Sequence, residues 1–131
     1  MIASILNNKK LVFLMVFIIY SITCFSQFYN KEIVADIKVD DKGEFLTFSA
    51  TAENSTATDY NLRYEFFLIK KDPNNNSSRT SQGNRFFLEG FKKEILSSTT
   101  VNKSEEGTII VLLLIYDEDD KPIGKDRIEL V

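Results

Sequence analysis

The chain has 131 residues, with 16 Lys and Arg against 19 Asp and Glu, a net charge of −3, one cysteine, and no histidine or tryptophan. Without histidine, and with Cys24 as the sole thiol, it lacks the commonest general base, a reactive thiol in the body of the chain and most transition-metal ligand sets. A non-enzymatic protein is therefore expected, with no cofactor, no metal and, given its acidity, no nucleic-acid partner.

At the start of the chain, Asn7-Asn8-Lys9-Lys10 precede the run LVFLMVFIIYSIT. A basic region followed by about a dozen apolar residues is the layout of a secretory signal and is too short for a membrane span. Cys24 and Ser26 are small enough for the two positions that flank a cleavage site, so cleavage is expected after Ser26, leaving Gln27 first. The alternative is a lipoprotein anchored at Cys24, although Ser21-Ile22-Thr23 lacks the usual leucine and small-residue pair. Removing 26 residues from 131 leaves 105, close to the commonest size for one domain, so 27–131 reads as a single domain without stable membrane insertion. That segment has no cysteine and must rely on its core alone; 14 basic residues against 19 acidic ones give it a net charge of −5.

Ile33, Ala35, Ile37 and Val39 alternate with Glu32, Val34, Asp36 and Lys38 and predict a half-buried strand that ends in the turn residues Asp40-Asp41-Lys42-Gly43. Leu46, Phe48, Ala50 and Ala52 then point one way along a second strand to about Glu53. After the polar connection from Asn54 to Asp59, Tyr60, Leu62, Tyr64, Phe66 and Leu68 occupy every second position, which puts five large groups on one face. The opposite face carries Arg63, Glu65, Phe67 and Ile69. Asp72-Pro73-Asn74-Asn75-Asn76-Ser77-Ser78 opens a long polar loop, and the apolar pattern resumes at Phe86, Phe87 and Leu88.

Glu89-Gly90 is a break, and Ile95 to Val101 predicts a Ser- and Thr-rich strand that lies near an edge or bends. Asn102 to Gly107 is a turn, and TIIVLLLIY, from Thr108 to Tyr116, is apolar on both faces and reads as a central strand. The acidic run Asp117-Glu118-Asp119-Asp120 lacks the glycine and distal glutamate of a calcium loop and reads as a solvated turn. A last strand with Ile123, Ile128 and Leu130 suits an edge because Pro122 opens it. Seven to eight antiparallel strands with no helical period predict an all-β, immunoglobulin-like β-sandwich, with a barrel as the alternative.

Charge is unevenly spread. From Tyr60 to Lys93, seven cations (Arg63, Lys70, Lys71, Arg79, Arg85, Lys92, Lys93) face three carboxylates (Glu65, Asp72, Glu89), a local balance of +4 against −9 for the rest of 27–131. If the long strand and the Asn84 to Glu89 segment share a sheet, Arg63 and Arg85 fall on one exposed face with Phe67 or Phe87. Such a surface suits brief contact with an acidic or amide-rich extended chain. The competing reading is that Lys and Arg merely keep strand edges soluble.

The run Ser77-Ser78-Arg79-Thr80-Ser81-Gln82-Gly83-Asn84-Arg85-Phe86 resembles the CsgH-like domain of curli assembly systems. The frame is similar as well: an aromatic strand from Tyr60 to Ile69 precedes it, the Leu-Ser segment Leu96-Ser97-Ser98 follows, and a late apolar strand ends in Tyr116-Asp117. The resemblance spans nearly all of 27–131. It implies a monomeric, immunoglobulin-like protein of the periplasm that holds curli-type amyloid subunits soluble before export, as the related CsgC proteins do. On that reading Arg63, Phe67, Arg79, Arg85 and Phe87 form the client-binding surface. The Cys-x-Cys pair of CsgC proteins has no counterpart, so no redox role is carried over. Two other roles are compatible with the residues: delivery of such subunits to an export channel, and a secreted adhesion module that binds by strand addition.

Overall fold

The alternation from Tyr60 onward produces the longest-paired strand of the molecule, with Leu62, Tyr64, Phe66 and Leu68 buried and their odd-numbered neighbours outside. Around it, a computed structural model describes residues 29–103 and 107–131. The expected signal segment 1–26, its cleavage after Ser26 and the lipidation alternative at Cys24 lie outside these residues. Seven strands succeed one another in chain order: β1 (Ile33–Asp41), β2 (Phe45–Asn54), β3 (Tyr60–Lys71), β4 (Ser77–Leu88), β5 (Lys93–Asn102), β6 (Thr108–Tyr116) and β7 (Pro122–Leu130). All pairings are antiparallel, in a three-stranded sheet of order β1-β2-β5 and a four-stranded sheet of order β4-β3-β6-β7. The expected immunoglobulin-like sandwich is therefore present, with seven strands and no helix among the described residues.

The two inner faces make one core. Ile33, Ala35 and Ile37 of β1 and Phe48, Ala50 and Ala52 of β2 meet the four buried residues of β3 and Val111, Leu113 and Ile115 of β6. Burying each of the larger side chains contributes roughly 1.5–3 kcal/mol before chain entropy is subtracted. Of the positions expected on these faces, Leu46 is half-buried and packs against the core, whereas Val39 is 44 % exposed because the end of β1 extends past the packed region. At the end of β2, Asn54 is almost fully buried. Its side-chain amide donates to the carbonyl of Thr58 at 2.6 Å, and its carbonyl oxygen accepts from the Thr56 amide at 3.0 Å.

The sheet edges are treated unequally. On one flank β1 and β7 are stitched together: Asn30, at φ 62°, accepts from the amides of Ala35 and Lys125, and Asp126 accepts from the amide of Ile37 at 2.7 Å. β7 also carries an extra residue, Ile123, opposite the end of β6. On the other flank, β5 is an edge strand as expected and skips register at Leu96, between Ala50 and Thr51 of its partner. β4 forms the remaining edge and pairs with β3 from Ser77 to Leu88 without a break.

That last pairing corrects the loop expected from the sequence. Residues 77–85 are strand, and only residues 72–76 form the connection, closed by the amide of Asp72 donating to the carbonyl of Asn76. An edge strand obtains its order from backbone pairing on one side, so β4 needs no buried side chain along its polar half.

Candidate functional site

Because the even-numbered residues of β3 face the core, Arg63, Glu65, Phe67 and Ile69 face outward, and the register fixes their neighbours across the sheet. Arg63 lies between Arg85 of β4 and Tyr116 of β6, and Glu65 between Gly83 and Leu114. Phe67 lies between Ser81 and Leu112, and Ile69 between Arg79 and Ile110. Beyond β6, Arg127 stands opposite Leu112 and Lys125 opposite Leu114. The result is a half-buried apolar ridge of Phe67, Ile69, Ile110, Leu112, Leu114 and Tyr116, flanked on both sides by cations.

All five residues expected at a client-binding surface share this face. Arg79 and Arg85 are exposed, and Phe87, 49 % exposed, lies opposite Asn61 at the far end. From Arg79 to Phe87 is eight residues of strand, about 26 Å at the usual rise. The five are not electrostatically equivalent. The Arg63 guanidinium pairs with Glu65 at 2.8 Å and Asp120 at 3.2 Å, and its central carbon sits 4.2 Å from the centre of the Tyr116 ring. The hydrogen bond to Glu65, and after it that to Asp120, raises its pKa above the ordinary arginine value, so it is a fixed cation whose charge is locally cancelled. Arg79 lies over the Phe67 ring at 4.4 Å and, like Arg85, has no carboxylate partner among the described residues. Burial, with the neighbouring Glu65 carboxylate, pushes the Tyr116 phenol upward and keeps it neutral.

The sequence reads β6 as a central strand with apolar residues on both faces, and β6 is central in its sheet. Its outward residues Ile110, Leu112 and Leu114 are half-buried, and no second layer covers them among the described residues. An antiparallel sandwich has only one inner face per sheet, so apolar residues on both faces of such a strand were the available signal. The opposite sheet shows the contrast. Its outer face carries mainly Asp36, Lys38, Thr47, Ser49, Ser98 and Thr100, with the exposed Phe45 and Ile95 among them and hydroxyl pairs Thr47 to Thr100 at 3.2 Å and Ser49 to Ser98 at 3.1 Å.

Beside Arg63 and Arg85, a cavity of about 510 Å³ opens at the end of the sheet, bounded also by Asn61, Phe86, Asp117 and Asp120. The Asp117 carboxylate accepts from the amides of Asp119 and Lys121, holding the acidic turn, while Asp120 is given to Arg63. Cations and carboxylates thus share the cavity rim.

These features define a class: a seven-stranded, immunoglobulin-like sandwich with one uncovered sheet face of apolar residues rimmed by arginine. No family model matches the sequence, and no curated protein matches it. Among solved structures, the chain has the fold of the E. coli curli protein CsgC, with a TM-score of 0.59 at 12 % identity over 72 % of this chain and 96 % of that one. It likewise matches R. palustris CsgH, with a TM-score of 0.54 at 12 % identity over 75 % of this chain and 90 % of that one. A β-glucuronidase of Bacteroides uniformis contains a similar sandwich, with a TM-score of 0.55 at 10 % identity over 76 % of this chain but 14 % of that one. The likeness to CsgH drawn from the residues around Gly83 is therefore borne out at the level of fold.

Proposed function

We propose that this protein is a chaperone-like component of a curli-type amyloid system, acting as a monomer in the periplasm. It would bind extended amyloid subunits briefly on the outer face of the four-stranded sheet and hold them back from fibre assembly. The observation that carries this reading is the ridge from Phe67 to Leu114 with Arg79 and Arg85 beside it, on a fold shared with two curli proteins over most of their length. An amyloid subunit is hazardous because its unpaired strands template one another. A half-covered apolar ridge offers enough contact to occupy such a strand for a moment, while unpaired arginines steer acidic or amide-rich segments towards it. Contacts of this kind form fast, break fast and weaken with salt.

The reading makes the protein a binder rather than an enzyme, because what it rests on is a face of guanidinium, aliphatic and aromatic groups. Delivery of subunits to an export channel would use the same face and differs only in the fate of the subunit after release. The test is a time course of fibre growth by a curli-type subunit, monitored by dye fluorescence, with the protein added far below equimolar. A lengthened lag supports the proposal, because rare early species are then the target. An unchanged lag at equimolar protein removes it.

A further inference from the structure

Resting on the reading of this protein as a binder of extended chains, we propose a second mode of contact: the free edge of β4 accepts an acidic extended segment by strand addition. Four edges exist among the described residues, and three are obstructed. β1 and β7 are joined by Asn30 and Asp126, and β5 is kinked at Leu96. β4 is twelve residues long, pairs without a register shift, and has no strand on its other side among the described residues.

Its polarity along the edge can be assigned. The amide of Arg85 donates to its neighbour Asn84 Oδ1 at 2.9 Å instead of to β3. Backbone groups alternate sides along a strand, so Arg79, Ser81, Gly83 and Arg85 direct their amides and carbonyls to the free edge, and Thr80, Gln82 and Asn84 direct theirs to β3. Asn84 caps the last of these outward amides, leaving those of Arg79, Ser81 and Gly83 open.

The same residues state the chemistry of the occupant. β4 contains Arg79 and Arg85 and no acidic residue. A second copy of the chain is a poor occupant: two β4 strands aligned antiparallel about Gln82 place Arg79 opposite the second copy's Arg85, twice, and like charges directly opposite destabilise a pair. An acidic segment reverses that sign. Carboxylates six residues apart (85 minus 79) fall on one face, opposite the two arginines. Between them, Gly83 leaves its backbone bare on the solvent face. It has no alternative, since a Cβ there would stand 2.9 Å from the carbonyl oxygen of Tyr64. A bulky side chain of the added strand covers that gap, as aromatic and branched residues do opposite edge glycines.

The probe is a synthetic peptide of about nine residues, the length of a typical added strand, in which Thr alternates with Glu, Val, Val and Glu. All four alternate residues then share one face, the glutamates at its ends. Two N-methylated forms complete the set, one methylated at the Glu and Val amides and the other at the Thr amides. With the full-length protein, the unmodified peptide and the Thr-methylated form are expected to shift the amide resonances of Arg79, Ser81 and Gly83 and to slow their hydrogen exchange. Methylation of the Glu and Val amides, which would enter the ladder, is expected to weaken binding about tenfold or more. Arg79→Glu with Arg85→Glu is expected to transfer preference to the matching Lys peptide. Equal binding of the two methylated forms, shifts confined to another edge, or no shift at millimolar peptide overturns the proposal. A lengthened fibre lag with no β4 shift leaves the sheet face as the client site and removes the edge. β4 shifts without any fibre lag keep the edge site and remove amyloid subunits as its client.

Discussion

Arg63 and Arg79 each lie over an aromatic ring, at 4.2 Å and 4.4 Å, but only Arg63 is held between two carboxylates. Their substitutions should therefore differ in kind. Arg63→Glu would set three carboxylates together beside Tyr116, and a lower urea midpoint is expected. Arg79→Glu with Arg85→Glu removes charges that have no carboxylate partner and one exposed arginine–ring contact worth about 0.5–1 kcal/mol, so the midpoint should fall only slightly while the effect on fibre lag disappears. Equilibrium urea unfolding, run beside the fibre assay, checks both. A different residue sets the acid response: the Lys103 ammonium, with the amide of Gly43, holds the Asp41 carboxyl below the ordinary carboxylate range. A depressed folded-state pKa adds stability that is present above the unfolded value and lost as pH falls through the folded one. The urea midpoint of Asp41→Asn should thus lie below the parent near neutrality and converge with it in acid, by a small margin since both groups are exposed.

At the scale of elements, the strands with a buried face could be read from period-two alternation, because core packing selects large apolar residues at every second position. β3 and most of β1 and β2 follow that rule, and β6 was legible instead as a short continuous apolar run. The polar half of β4 does not, since Ser77 to Arg85 contains no apolar residue and is ordered by β3 through backbone bonds that side-chain patterns do not record. Asn30 and Asn54 were hidden for a related reason: a polar residue in a connection looks the same whether it is solvated or bonded to several backbone groups. The alternation of outward and inward amides on β4 makes a direct prediction. Thr80→Pro removes a bond to β3 and should cost about 1–3 kcal/mol. Ser81→Pro removes an amide that faces solvent, so its cost should be smaller. A urea midpoint lower for Ser81→Pro than for Thr80→Pro would mean that the edge is assigned the wrong way round.

For the whole molecule, the decisive property is the difference between its two outer faces. One is mostly hydroxyls and mixed charge, with Phe45 and Ile95 exposed among them; the other keeps a continuous set of aliphatic and aromatic residues half-open beside arginines despite a chain whose net charge is −3. The basic cluster between Tyr60 and Lys93 was visible in the sequence, as was its coincidence with Phe67. That Arg63 would be neutralised, and that β6 would supply most of the ridge, depended on the register across the sheet. The claim that this face engages the client is tested most directly by one comparison of fibre-growth lag, using a curli-type subunit with either the parent protein or the Phe67→Ala, Arg79→Glu, Arg85→Glu variant, each verified as folded, at low and at high salt. The account predicts a long lag with the parent that shortens as salt rises, and a lag close to that of the subunit alone with the variant. Equal lags for parent and variant would contradict it.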